Sequence, residues 1–162
     1  MKKIKMVSLD TASENSGWAY WENGILKEHG VIHVSHKDAD LKLDHMCREL
    51  AGLLNKKKPD IVVIEMTVVP NNAATQRLLS EIVGVVRGWC LSQKKDIDFI
   101  RLRPTEWRKL VKNSGEKVPK SKKDGLKQWD IDKARELFHF EPIDDNEADG
   151  VLLGYARIKQ FQ

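Results

Sequence analysis

The chain has 162 residues, of which 41% are apolar and 32% are charged, and its formal net charge is +4. These values are typical of one globular domain and exclude a fibrous or fully disordered chain. No apolar stretch is long enough to span a bilayer, and the N-terminal one is too short for a signal peptide. Cys47 and Cys90 show no zinc-ligand spacing, so we expect reduced thiols in a cytoplasmic protein that has no membrane partner.

Apolar stretches predict strands over residues 3–9, 17–21, 25–34, 61–65 and 97–102. Helical spacing of apolar residues predicts helices over residues 41–55, 73–93, 105–111, 131–138 and 146–161. The first three strands form an antiparallel meander, with Glu22-Asn23-Gly24 as its second turn. The last two strands follow crossover helices and are therefore parallel. The expected fold is α/β, with a mixed five-stranded sheet flanked by helices in one domain over residues 1–162.

The predicted helix over residues 73–93 has an unusually wide apolar face, which includes Leu79, Val83 and Val86. One packing surface needs a narrower stripe than this. The helix is therefore either buried within its own domain, or part of its face contacts another subunit.

Acidic residues lie at the ends of several predicted elements. Asp10 ends the first strand and Glu65 ends the fourth, while Asp145 and Asp149 lie within one turn at the start of the last helix. Ligands of open α/β sheets bind outside the carboxyl ends of the strands. Crowded carboxylates need a cation, and hard divalent ions prefer carboxylate oxygens. We therefore predict a metal-dependent enzyme with Asp10, Glu65, Asp145 and Asp149 as catalytic residues and metal ligands.

Each acid also has a simpler interpretation as a helix cap or a solvated turn. This interpretation is strong for Asp144 and Asp145, which suit a helix N-terminus. It is weaker for Asp10 and Glu65, because both interrupt an apolar run at the same kind of position. We expect the histidines to take no part in catalysis.

Basic residues concentrate in a segment over residues 113–128, which we predict to be a flexible loop. Such a loop either contacts phosphates or is merely a disordered connector. The candidates for phosphate contact are Lys117, Lys120, Lys122, Lys123, Lys127, Arg103 and Arg108.

Four segments of the chain resemble the RuvC-type Holliday junction resolvases of the ribonuclease H-like superfamily, particularly their phage relatives. The resemblance rests, in this order, on residues 9–19, residues 64–65, residues 72–75 with Gly84, Arg87 and Gly88, and residues 146–156. It implies a ribonuclease H-like nuclease that cuts four-way and other branched DNA, in the host cytoplasm if the chain is phage-encoded. It also implies that the basic residues named above are DNA-binding residues. It also implies Mg²⁺, or Mn²⁺ in its place, with two ions per site, and a homodimer formed through the helix beginning near Ala73.

Two positions depart from the family pattern. The resolvases usually have an acid or a histidine three residues before the last aspartate, where this chain has Asn146. Either Asp145 or Asn146 therefore completes the metal site. Bacterial members have an aromatic residue three positions after the glutamate, where this chain has Val68, so stacking in the opened junction is lost here.

Three other functions are also consistent with the sequence. A ribonuclease H-like nuclease for flaps or RNA–DNA hybrids would use the same acids without a symmetric dimer. A catalytically silent DNA-structure binder is consistent with Asn146. An actin-like phosphotransferase also begins with a strand, an aspartate and a turn, but it needs a duplicated domain that 162 residues barely allow.

Overall fold

The computed structural model describes residues 3–66 and 68–162. The described strands are β1 (Lys5–Asp10), β2 (Asn15–Glu22), β3 (Ile25–His33), β4 (Ile61–Glu65) and β5 (Asp98–Leu102). The described α-helices are α1 (Ala39–Lys57), α2 (Ala73–Ser92), α3 (Pro104–Val111), α4 (Leu126–Phe138) and α5 (Asp145–Lys159). No helix in these two ranges is long and apolar enough to cross a membrane.

The sheet has the strand order β3-β2-β1-β4-β5. The first three strands pair antiparallel, and β4 pairs parallel with both β1 and β5. Asn23 and Gly24 have positive φ angles of 51° and 77°, as a tight hairpin turn between twisted strands requires. The predicted mixed five-stranded α/β sheet is therefore confirmed.

The basic segment is shorter as a loop than we predicted. Lys122–Asp124 forms a single 3-10 turn, and α4 begins at Leu126 rather than at residue 131. Gly125 makes this start possible: its φ of 89° ends the 3-10 turn, and its carbonyl then accepts the N–H of Trp129. The prediction of a loop over residues 113–128 is wrong for its C-terminal part, and Lys127 is a helical residue.

The two faces of the sheet carry separate hydrophobic cores. Because side chains alternate along a strand, Met6 and Val63 face a core shared with α3, α4 and α5, while Leu9 and Ile64 face α1 and α2. Asp10 lies four residues after Met6 in β1, and Glu65 lies two residues after Val63 in β4. An even separation along a strand puts two side chains on the same face of the sheet. Both acids therefore belong to the face covered by α3 and α5.

Helix α5 approaches the backbone of β2 more closely than any side chain would allow. A Cβ atom on Gly17 would lie 1.6 Å from the carbonyl oxygen of Asn146, and one on Gly150 would lie 2.7 Å from the amide nitrogen of Trp18. Real Cβ contacts are not this short, so glycine is required at both positions. Backbone therefore packs on backbone where α5 begins.

A second contact, one turn further along α5, extends this close packing to β1. A Cβ atom on Gly154 would lie 2.3 Å from Nε1 of Trp21. The Ser8 hydroxyl donates a hydrogen bond of 2.6 Å to the carbonyl of Gly150 and accepts one of 3.2 Å from Trp21 Nε1. The strand and the helix are therefore locked in one relative position.

We predict that Gly150→Ala destabilises the protein by about 1–3 kcal/mol, because the added methyl group meets backbone that cannot rotate away. Gly52→Ala is the matched control: Gly52 is also helical, its Cβ would meet nothing within 4 Å, and alanine there should stabilise by about 0.5–1 kcal/mol. Urea unfolding measures both free energies. Equal stability of the two variants would contradict the close packing of α5.

Candidate active site

Asp10, Glu65 and Asp149 meet at the carboxyl edge of the sheet. Asp10 and Glu65 end the adjacent parallel strands β1 and β4, in which Leu9 pairs with Ile64, as predicted from their positions in the sequence. Asp10 also pairs with Gly17 in the antiparallel ladder. Because α5 rests directly on Gly17, its first turn stands beside Asp10.

The buried acids raise one another's pKa values. Burial, and then the negative charges of Glu65 and Asp145, raise the pKa of Asp10 well above its usual range. Burial, and then the charges of Asp10 and Asp130, raise the pKa of Asp149 in the same way. The charges of these acids therefore repel one another, and ionising all of them together costs free energy.

Helix α3 supplies two groups that contact the acidic cluster of Asp10, Glu65, Asp145 and Asp149. The indole Nε1 of Trp107 donates a hydrogen bond of 2.6 Å to Oε2 of Glu65, and the Trp107 side chain is fully buried. The next residue, Arg108, lies with its guanidinium carbon 4.2 Å from the centre of the Trp107 ring. Two consecutive residues thus bring a neutral donor and a cation to the acids.

The carboxylate of Asp130 in α4 holds the guanidinium of Arg108. Arg108 Nε donates to Asp130 Oδ1 and Arg108 Nη2 to Asp130 Oδ2, both at 2.8 Å. Arg108 Nη2 also lies 3.5 Å from Oδ2 of Asp149. Burial alone would lower the pKa of Arg108, but the hydrogen bonds and charge of Asp130 raise it, so Arg108 stays cationic.

Asp130 is a buried site residue that our sequence reasoning missed. We placed the start of the helix at residue 131, which left Asp130 outside it. In the observed helix Asp130 lies four residues before the buried Ala134, so it occupies a core-facing position. A charged residue on an apolar stripe was the signal that could have found it.

The residues Asp144, Asp145 and Asn146 at the start of α5 make three different contacts. Asp144 is the N-cap, since its side chain accepts the amide of Glu147 at 2.9 Å, which confirms the cap interpretation for this residue. Asp145 is the first helical residue, and its Oδ2 lies 2.7 Å from Nζ of Lys127. The amide of Asn146 donates to Asp144 Oδ2 at 3.1 Å. Asp145, rather than Asn146, therefore adds charge beside Asp10.

The predicted DNA-binding residues fall into two groups. Arg108 and Lys127 are paired with acids of the cluster, whereas the others are exposed cations, namely Arg103, Lys117, Lys120, Lys122 and Lys123. A cavity of about 440 Å³ opens beside Arg108, and its lining includes Lys109, Lys112 and Lys120 together with Val118 and Pro119. Arg108 therefore belongs both to this cavity, which we call the basic groove, and to the contacts with Asp130 and Asp149.

The donor chemistry fits a hard divalent cation. Oδ1 of Asp149 is buried and accepts no hydrogen bond from residues 3–66 or 68–162, and a cation would satisfy it. Within those ranges, however, no three His, Cys, Asp or Glu side chains are already arranged to hold a metal. The carboxylates fit the ion by type and proximity, and would have to reorient around it.

Comparisons with known proteins give a consistent result at the level of the fold. No family model matches the chain, and no curated protein matches it. Among solved structures, RuvC of Thermus thermophilus in complex with a Holliday junction substrate has a TM-score of 0.72 at 10% identity, covering 98% of this chain and 94% of that one.

Two further junction resolvases share the architecture. The fowlpox virus resolvase, solved with Holliday junction DNA, has a TM-score of 0.64 at 15% identity and covers 98% of this chain and 99% of that one. The yeast mitochondrial Holliday junction resolvase Ydc2 has a TM-score of 0.60 at 13% identity, with coverages of 96% and 80%. The chain therefore shares its fold with these three resolvases, which confirms the predicted fold class.

We predict that Asp10→Asn makes the protein more stable than the wild type at neutral pH in the presence of a chelator. The folded-state pKa of Asp10 lies above its ordinary value of 3.8, so its charge opposes folding at pH values above the folded-state pKa. This penalty fades as the pH falls toward the ordinary value.

Urea unfolding of both proteins at about pH 7.5 and about pH 4.5 tests this prediction, because the gain should narrow at the lower pH. Asp44→Asn is the control, since Asp44 is an exposed residue of α1 and the substitution should leave stability nearly unchanged at both pH values. A loss of stability in Asp10→Asn at neutral pH would contradict the crowding of the acids.

Proposed function

We propose that this protein is a divalent-metal-dependent endonuclease that resolves four-way and other branched DNA junctions by paired phosphodiester hydrolysis. The observation that carries the proposal is the convergence of Asp10, Glu65 and Asp149 at one sheet edge. The sheet belongs to a fold shared with three junction resolvases. The structures of two of these resolvases contain Holliday junction DNA.

The acids would hold Mg²⁺, or Mn²⁺ in its place, with two ions per site. When bound, such ions supply an activated water and charge stabilisation of the leaving oxygen. Asp10, Glu65 and Asp149 would provide anionic oxygens, and Asp145 would add a fourth from the first turn of α5. Burial of the cluster strengthens every charge interaction within it, so even small changes in these oxygens should alter activity.

The residues of α3 prepare this cluster for a phosphate. Trp107 fixes the orientation of Glu65 through one short hydrogen bond. Arg108 adds a permanent positive charge beside Asp149, and a guanidinium there would attract an oxygen of the phosphate being cut. The acids and this cation together can therefore bind an ion and a phosphodiester at adjacent positions.

Exposed cations would contact the rest of the DNA backbone. Lys117, Lys120, Lys122, Lys123 and Arg103 lie on the surface of the α3–α4 region. Arg108, which pairs with Asp130 and Asp149, also lines the basic groove. Phosphate contacts of this kind release counterions, so junction affinity should fall steeply as salt rises.

Paired cutting needs two sites of opposite orientation, which a two-fold homodimer supplies. Helix α2 has the surface for this contact: it buries Ile82, Val86 and Cys90 in its own core but exposes Val85 and Leu91. We therefore propose that the outward face of α2 forms the dimer interface.

One alternative, a catalytically silent DNA-structure binder, is favoured by a specific observation. In residues 3–66 and 68–162 the acids do not form a ready-made metal cage, and Arg108 already neutralises part of their charge. A nuclease for flaps or RNA–DNA hybrids would share the acids without needing the dimer. The actin-like phosphotransferase is disfavoured, because the described residues form a single five-stranded sheet rather than a duplicated domain.

We predict that Asp10→Asn, Glu65→Gln and Asp149→Asn each lower Mg²⁺-dependent junction cleavage by at least about 100-fold, while junction binding survives. Each substitution removes an anionic oxygen but adds no bulk. The measurement is cleavage of labelled four-way, three-way and linear DNA with and without Mg²⁺, alongside a gel-shift assay in Ca²⁺.

Asp44→Asn serves as the control for these variants and should cut at the wild-type rate. If the wild type binds junctions but cuts none of the substrates with either Mg²⁺ or Mn²⁺, the silent-binder alternative is correct. Preferential cleavage of flaps or hybrids would instead favour the other nuclease class.

We predict that Leu91→Glu converts the proposed dimer into monomers, because it places a charge on the exposed apolar surface of α2. Leu91 is 77% exposed in the single chain, so the substitution should not disturb folding. Sedimentation at micromolar concentration measures the change. Leu41→Glu, at an exposed apolar position of α1, is the matched control. A wild-type protein that sediments as a monomer would contradict the proposed interface.

A further inference from the structure

Asp130 makes a more specific contact than charge neutralisation requires. It is 1% exposed, and both of its oxygens accept parallel hydrogen bonds from one edge of the Arg108 guanidinium. Such two-pronged pairs fix the plane and direction of the arginine as well as its charge. The ring of Trp107 supports the guanidinium as well, so Arg108 has little freedom to turn.

The position of Arg108 relative to Asp149 is equally specific. The nearest distance, from Nη2 to Oδ2 of Asp149, is 3.5 Å, which is longer than a good charge-assisted hydrogen bond. The same Nη2 lies 2.8 Å from Asp130. The guanidinium is thus held beside Asp149 by a different carboxylate, and its ion pair with Asp149 is the longer of the two.

We propose that Asp130 is a positioning residue that restrains Arg108 and so keeps Asp149 available for a divalent cation. Without that anionic partner, the guanidinium could close the 3.5 Å separation and donate a direct hydrogen bond to Asp149. A guanidinium fixed on that carboxylate competes with a metal ion for the same oxygens. This inference rests on the proposed function only for its effect on cleavage, because cation binding can be measured without DNA.

Two variants separate this role from a general electrostatic effect. Asp130→Asn keeps the side-chain volume and one acceptor but loses the charge and the second acceptor. Arg108→Met removes the guanidinium that would be redirected. If Asp130 acts through Arg108, Asp130→Asn weakens cation binding only when Arg108 is present. If Asp130 attracts the cation by its own charge, the loss occurs in both backgrounds.

The experiment is titration calorimetry of the full chain with Mg²⁺ and with Mn²⁺, in the absence of DNA. We expect Asp130→Asn to weaken cation affinity about 10-fold, as loss of a supporting residue around a metal site typically does. In the Arg108→Met background the same substitution should change affinity by less than about two-fold. Asp132→Asn is the control, because Asp132 is an exposed residue of the same helix that pairs with Arg135. The cation affinity of this variant should equal that of the wild type.

Equal losses in both backgrounds, or no loss in either, would overturn the proposal, as would a wild type that binds neither cation. Should Asp130→Asn fail to fold, Arg108→Lys provides a second test, because lysine keeps the charge but cannot reproduce the two-pronged contact. We expect it to weaken cation affinity, and unchanged affinity would again overturn the proposal.

Cleavage assays distinguish this inference from the proposed function. A wild type that shows the expected cation-binding pattern but cuts no junction contradicts only the nuclease proposal. If the wild type cuts junctions but Asp130→Asn weakens cation affinity equally with and without Arg108, only the role of Asp130 is contradicted. In a cutting enzyme, Asp130→Asn should raise the Mg²⁺ concentration needed for half-maximal rate more than it lowers the rate at saturating Mg²⁺.

Discussion

The close contact between α5 and the β1–β2 hairpin is the constraint on which the site depends. Glycines at positions 17 and 150 let two backbones meet, and the register of the hairpin puts Gly17 opposite Asp10. The first turn of α5 therefore has one possible place, beside the end of β1. A bulkier interface would move Asp149 away from the strand-borne acids, so the packing of small residues sets the distance between charges.

The site accumulates charge that folding alone would not favour. Burial and mutual repulsion raise the pKa values of Asp10 and Asp149, and such strain is common where a structure has been arranged for binding. Helix α3 limits the cost with one neutral donor, Trp107, and one permanent cation, Arg108. The free energy lost at the sheet edge is offset by the two large cores on either side of it, which keep the strand ends rigid.

Local patterns in the sequence predicted the elements and the positions of Asp10 and Glu65, because both depend on periodicity and on where a strand ends. They did not predict Asp130 or the partner of Glu65. Those contacts join α3 to α4 and to β4 across the fold, and no spacing along the chain encodes which buried indole meets which carboxylate. The start of α4 was also hidden, since a glycine in a left-handed conformation begins that helix within a basic, weakly apolar segment.

The hydrogen bond between Trp107 and Glu65 gives the molecule a built-in reporter. The donor Trp107 and the acceptor Glu65 are 42 residues apart in the sequence, and their hydrogen bond of 2.6 Å is buried. Any ligand that draws electron density from that carboxylate must weaken its hold on the proton. The nuclear magnetic resonance frequency of this one indole N–H should therefore register occupancy of the sheet edge, with no label attached to either the protein or the DNA.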